Sequence, residues 1–170
     1  MQQLIDTFKN FFRNSVISIP IVNLIIGIGL LDKYLCYLTV GLVLSGLFNL
    51  LIKQTLYIST TPQNRKFFLR PNTAKGCDAC CNETPMADKI GFPSGHSQQA
   101  WFFTTYLLLY SYHKYKNINI ISFLILIIFA NVISISRLGW LGNQCHTYLQ
   151  VITGGLLGSI TSYYFFYLIN

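Results

Sequence analysis

Two histidines, two arginines and a Ser-Gly pair are the residues in this sequence best suited to chemistry. The stretch Gly91-Phe92-Pro93-Ser94-Gly95-His96-Ser97-Gln98-Gln99-Ala100 joins a polar, cysteine-bearing segment to an apolar run. Pro93 suits the first position of a helix, where its missing N–H costs nothing. The next N–H groups then point outward with partial positive charge, and Gly95 lets an anion approach the backbone. A helix mouth of this kind binds anions, and His96 sits in its first turn. The stretch is equally compatible with an ordinary helix cap beside a solvated histidine. Arg137 and His146 flank other apolar runs, and their convergence on one membrane face with Arg70 of the long polar loop changes that balance. Arginine forks match phosphate oxygens. A phosphoryl group in transit spreads negative charge over three equatorial oxygens, which two arginines, a lysine and helix N–H groups can hold. One histidine can attack phosphorus. A second can protonate the leaving oxygen and then activate water. Gln150 follows His146 by one helical turn, so its carbonyl can accept from one ring nitrogen and set the tautomer of the other. For Arg137 the competing role is snorkelling to lipid headgroups, and for Gln150 it is polar packing between helices.

Composition indicates which elements must position these residues. Of 170 residues, 52% are hydrophobic and 10% charged, against about a quarter charged in soluble domains. Mean hydropathy is positive. The expected fold is therefore all-α: an integral membrane bundle of about five transmembrane helices in a single domain, 1–170, with the active site at one membrane face. Residues 1–14 place Leu4, Ile5, Phe8, Phe11 and Phe12 at helical spacing among polar residues, as in a short interfacial helix. Spans follow at 15–31, with Pro20 and Asn23 inside, and at 34–52, ending at Lys53. The first reads as an uncleaved anchor. A polar loop at 53–92 holds most of the charge and is long enough to be functional. Further spans are expected from Pro93 to about Tyr112, from Ile118 to Ile135 and from His146 to Leu168. With five spans, Arg70, His96, Arg137 and His146 share one membrane face, and His113 falls on the other as an interfacial residue. The net charge of +7 suits anionic headgroups and a phosphate site. It is not arranged as a basic run with interleaved aromatics, so nucleic-acid binding is excluded.

The pattern Arg70-Pro71, Pro93-Ser94-Gly95-His96, Ser136-Arg137 and His146 resembles the three-part signature of the type 2 phosphatidic acid phosphatase superfamily. The wider stretch GFPSGHSQQAWFF is most similar to its dolichyl diphosphate phosphatase branch. The resemblance covers about Lys53 to Gly158. It implies metal-independent hydrolysis of a lipid phosphate or diphosphate through a phosphohistidine, with no cofactor. His146 would be the nucleophile and His96 the acid–base group, with Gln150 behind the nucleophile. Lys53, Arg70, Ser94, Gly95 and Arg137 would hold the phosphoryl oxygens. Three departures stand out. The family's first-motif lysine falls at Gln63, leaving Lys53, favoured, and Lys66 as candidates. Eight residues separate Arg137 from His146, more than in the family, so a half-turn or bulge must absorb the excess. The usual aspartate behind the nucleophile is Gln150. These departures motivate an alternative: a catalytically impaired relative that binds lipid phosphates or acts structurally in a membrane. A transporter is disfavoured because the polar groups gather at one face.

Cys77, Cys80, Cys81 and Cys145 fall on the active face, and Cys36 on the other. They could form disulfides, hold zinc or stay free. The adjacent Cys80-Cys81 pair is awkward for zinc and favours at least one disulfide. A bridge from Cys145 would tie the long loop over His146. Disulfides imply an oxidising compartment, with the active face lumenal or extracytoplasmic, as in an endoplasmic-reticulum-like membrane. The Asn82-Glu83-Thr84 sequon agrees, although Pro85 weakens it. Lys9 and Arg13 argue instead for a cytoplasmic N-terminus and a cytoplasmic site. The cysteines are given the greater weight. The expected partners are a lipid phosphate substrate and membrane lipids; nothing in the sequence sets an oligomeric state.

Overall fold

Asp32 divides the N-terminal apolar sequence into a helical hairpin. Its carboxylate accepts from the backbone N–H of Tyr34 at 3.0 Å and Leu35 at 3.4 Å, capping the second helix. In the computed structural model, which describes residues 2–75, 77, 89–140 and 144–170, α1 spans Gln2–Gly29 and α2 Lys33–Ser59. Cys80, Cys81 and the Asn82 sequon lie outside the described residues. The expected interfacial helix and first span are one continuous α1. No glycine or proline occurs from Asn10 to Ile19, and the Ser15 hydroxyl donates to the Phe12 carbonyl at 2.8 Å inside the helix. Asn23, a polar residue in an apolar span, donates to the Leu35 carbonyl at 2.7 Å and to Thr39 Oγ1 at 2.9 Å, locking the hairpin.

Helix α2 runs past Lys53 to Ser59, so the lysine lies within a helix and not at its end. Arg65 then folds back, donating to the Tyr57 carbonyl at 2.7 Å and the Thr60 carbonyl at 3.1 Å, with its guanidinium over the Tyr57 ring. This employs Arg65 in terminating α2. A short α3 (Pro62–Arg65) and a 3₁₀ turn (Lys66–Phe68) lead to the site. Helices α4 (Gly95–Tyr115), α5 (Ile120–Ile135) and α6 (Tyr148–Leu168) complete the bundle.

Among the described residues, four helical stretches are long and apolar enough to cross a membrane: Asn10–Gly29, Lys33–Ser59, Ile120–Gly139 and Tyr148–Leu168. Their outer faces expose Ile25, Leu50, Ile125 and Leu156, as lipid contact requires. The fifth long helix, α4, has 21 residues and spans about 30 Å. It is more polar because it is central. It packs against α1, α2, α5 and α6, so Ser97, Gln98, Gln99 and Thr104 are buried against protein and not lipid. Leu38, Leu42, Phe102, Tyr106 and Phe166 form the core between α2, α4 and α6. Phe12, Ala100, Ala130 and Ile133 form a second cluster, which holds α1 against α4 and α5.

The two ends of α4 have different surroundings. Its C-terminal end meets the α1–α2 turn, where Asp32 Oδ2 accepts from Tyr110 and from Lys114 at 3.1 Å. His113 lies there too, exposed, its ring centroid 5.6 Å from that of Tyr34. The N-terminal end carries His96.

Candidate active site

Helix α4 begins at Gly95, and Ser94, not Pro93, stands at its boundary. The Ser94 hydroxyl caps the helix by accepting from the Ser97 N–H, which places Pro93 before the cap, after a cis Phe92–Pro93 bond. Gly95 and His96 therefore occupy the first turn, where N–H groups lie outside the helical ladder. This mouth is tied to α6: the Ser94 N–H donates to the Gln150 carbonyl at 2.8 Å, and the Ser97 hydroxyl to the Val151 carbonyl at 2.8 Å. Close approach depends on α6 glycines. A Cβ on Gly154 would lie 2.4 Å from the Ser94 carbonyl oxygen, and one on Gly158 would lie 2.1 Å from that of Gln98.

From the other side, α2 supplies Ser45, Asn49 and Lys53 at four-residue spacing. Asn49 Nδ2 donates to Gln98 Oε1 at 2.8 Å and to the Pro93 carbonyl at 3.4 Å. Gln98 Nε2 donates to the Ser45 carbonyl and hydroxyl, both at 3.0 Å. Lys53 follows on the same face, half-buried and close enough to act electrostatically on His146. Lys66 is exposed in the 3₁₀ turn. Sequence reasoning missed Ser45, Asn49 and Gln98, although polar residues one turn apart in an apolar span were a usable signal.

Arg70 enters on a short antiparallel pairing. Leu69 bridges Ile90, the Arg70 N–H donates to the Lys89 carbonyl at 3.1 Å, and the Gly91 N–H donates to the Phe68 carbonyl at 2.8 Å. Arg70 crosses directly over Gly91, whose absent Cβ would be 2.8 Å from Arg70 Cγ and 2.6 Å from Gln150 Oε1.

Arg137 arrives by a different device. After α5 the chain makes a π-helical turn, Ser136–Trp140, with Gly139 at φ +97°. The Arg137 carbonyl then accepts from the N–H groups of both Cys145 and His146 at 3.1 Å. This closure sets His146 beside Arg137 despite the eight residues between them, and is the bulge that the long spacing requires. The buried Arg137 side chain donates to the Cys77 carbonyl, and Cys77 forms a disulfide with Cys145. The described part of the long loop is thus fastened next to His146.

His146 and Gln150 are each only 1% exposed. His146 Nδ1 lies 3.1 Å from Gln150 Oε1, and Gln150 Nε2 donates to the Leu69 carbonyl at 2.8 Å. A carbonyl oxygen only accepts, so the Leu69 contact fixes the amide with Oε1 toward His146. Oε1 in turn only accepts, so Nδ1 carries the proton and Nε2 keeps the lone pair. The geometry thus brings together Lys53, Arg70, Ser94, Gly95, His96, Arg137, His146 and Gln150 at one end of the bundle.

Burial, reinforced by the positive charges of Arg70, Arg137, Lys53 and His96, holds the His146 imidazole well below the ordinary histidine range. A lowered pKa keeps the ring neutral, and hence nucleophilic, as pH falls through the usual range. For a reaction that needs this neutral ring, the acid limb of kcat/KM is expected below about pH 6.5. Arg137→Gln removes one of the depressing charges and should move that limb to higher pH. Comparing the two proteins on one substrate cancels the titration of the substrate. A limb that does not move would contradict this electrostatic coupling.

Residues 34–170 match the family model described as PAP2 superfamily. Dolichyldiphosphatase 1 of Homo sapiens is 34% identical over 87 residues, covering 45% of this chain and 35% of that protein. Dolichyldiphosphatase 1 of Mus musculus is 36% identical over 87 residues, with the same coverage. The chain thus aligns with about a third of the length of these curated relatives. No solved structure matches the chain. All eight residues gathered above fall within the family match, whereas α1 precedes it.

Proposed function

Because the chain belongs to the PAP2 superfamily, we propose that it is a membrane phosphatase hydrolysing a lipid phosphate or lipid diphosphate through a phosphohistidine at His146. The observation that carries this reading is the enclosed His146, its Nδ1 3.1 Å from Gln150 Oε1 and its ring within electrostatic reach of Arg70, Arg137 and Lys53. Its Nε2 lone pair attacks phosphorus while Arg70, Arg137, Lys53 and the N–H groups of Gly95 and His96 hold the phosphoryl oxygens. Charge stabilisation of this kind is the main resource such a site has. The bond from the attacked phosphorus to its bridging oxygen breaks, releasing the lipid alcohol or, from a diphosphate, the lipid monophosphate, and His96 protonates the leaving oxygen. Water then attacks the phosphohistidine with His96 as base, releasing phosphate. Gln150 orients the nucleophile without the charge of an aspartate, so the imidazolium-like nitrogen is stabilised by geometry alone.

An isoprenoid diphosphate is the favoured substrate, on the likeness to dolichyldiphosphatase 1. A groove of about 400 Å³ between α4, α5 and α6 is lined by Trp101, Ile135, Leu138, Ile152 and Leu156. It offers an apolar place for the part of the tail nearest the head group. The Cys77–Cys145 disulfide supports an active face in an oxidising, lumenal or extracytoplasmic compartment.

The test is phosphate release by the detergent-purified protein with EDTA present, from dolichyl diphosphate, phosphatidic acid and a sugar phosphate. Release from the lipids, with the diphosphate fastest, is expected. No release across the panel, with retained binding of the same lipids, would favour the binding or structural role raised by the glutamine at position 150.

A further inference from the structure

The N-terminal helix, which lies outside the family match, reaches into the site. His96 Nε2 is 3.0 Å from the backbone carbonyl oxygen of Arg13. The contact is held by packing: Phe12, next in the chain, is buried with Ala100 of α4 and with Ala130 and Ile133 of α5. The Ser15 hydroxyl, also buried, donates to the Phe12 carbonyl and fixes the helix locally. A carbonyl cannot donate, so this geometry requires a hydrogen on Nε2. In neutral His96 the lone pair is then on Nδ1, the opposite arrangement to His146, whose Nδ1 carries the hydrogen.

We infer that the Arg13 carbonyl is a positioning group for His96, committing Nε2 to α1 and leaving Nδ1 as the nitrogen that exchanges protons with the substrate. This rests on the phosphatase reading above. In the first step His96 carries hydrogen on both ring nitrogens, the Nδ1 proton being taken up from the phosphate head group on binding; the P–N bond to His146 Nε2 forms, the bond from that phosphorus to its bridging oxygen breaks, and the Nδ1 proton passes to the leaving oxygen. In the second step a water proton returns to Nδ1, the water oxygen bonds to phosphorus, and the P–N bond breaks. Throughout, Nε2–H stays on the Arg13 carbonyl and stabilises the charged ring. The helix α1 is thereby part of the acid–base machinery as well as a membrane anchor.

Two measurements test this. The first uses Phe12→Ala, which removes the packing that holds Arg13 against α4, with Phe12→Leu as the conservative variant. Both are compared with wild type on a lipid alkyl phosphate, whose leaving group needs a proton, and on p-nitrophenyl phosphate, whose leaving group does not. A fall in kcat of about tenfold or more on the alkyl phosphate, with little change on the aryl ester and recovery in Phe12→Leu, is expected. Equal losses on both substrates would mean a merely structural role and would overturn the inference, as would no loss on either. The second measurement does not depend on the variant folding. It records the ¹⁵N shifts of histidine-labelled wild type, assigned with His96→Gln, in which neutral His96 should show hydrogen on Nε2. Hydrogen on Nδ1 would overturn the assignment. If wild type released no phosphate from either ester, the phosphatase reading itself would fail; the ¹⁵N result would still report the tautomer.

Discussion

Replacing His146 with alanine is expected to lower phosphate release by about a thousandfold or more, the scale on which removal of a covalent nucleophile acts. The side chain is almost wholly enclosed, its Nδ1 engaged by Gln150 and its backbone N–H held by the Arg137 carbonyl. No neighbouring side chain occupies the same position with an equivalent lone pair. His96 cannot take over this position, because it is held in the first turn of α4 with its Nε2 against the Arg13 carbonyl of α1. Circular dichroism and detergent elution should match wild type, since alanine removes a ring and leaves the backbone closure at Arg137 intact. Steady-state release of phosphate checks it, and a variant retaining more than about a tenth of wild-type kcat would remove His146 from the nucleophile's role.

The second large effect lies in the packing beneath the site. Gly154→Ala places a methyl 2.4 Å from the Ser94 carbonyl oxygen and 3.2 Å from two other Ser94 backbone atoms. Backbone on both sides cannot yield as a flexible side-chain tip would, so α4 and α6 must separate. Separation stretches the Ser94–Gln150 and Ser97–Val151 hydrogen bonds. A loss of about 1–3 kcal/mol of stability is expected, together with a marked fall in activity, because Ser94 and Gln150 both move. The control is Gly29→Ala, where a Cβ would meet nothing within 4 Å. Thermal unfolding in detergent, followed side by side for the two variants, measures the difference. Equal midpoints would show that the α4–α6 contact is not close.

The candidate site was legible in the sequence because a phosphate site requires conspicuous residues in apolar surroundings. His96, Arg137 and His146 are ionisable residues at the borders of membrane helices, where each needs a reason, and Arg70 reaches the same end from the intervening loop. Counting spans put them on one face, and the structure places them together. What was hidden depends on three-dimensional approach. Hydropathy assigned α4 as one span among five, and only packing shows it is the central helix whose buried glutamines donate to backbone carbonyls of α2. The excess residues after Arg137 foretold a bulge, but not that a π turn and one carbonyl accepting twice would form it. The glycines at 154 and 158 carried the small-residue spacing of close helix pairs, yet their partners could not be read from spacing. The Arg13 contact had no sequence signal, because a backbone carbonyl is the same in every residue. The reading of 1–14 as a separate interfacial helix obscured it further, by placing that segment away from the bundle.

The covalent step at His146 is tested most directly by trapping it. Wild-type protein mixed with a lipid diphosphate radiolabelled at its terminal phosphate, then quenched in alkali during turnover, should carry label that is lost in acid. Peptide mapping should place that label on His146, and excess unlabelled substrate should chase it away. Label on another residue, or turnover by wild type with no trapped label at any time, would contradict a phosphohistidine at His146.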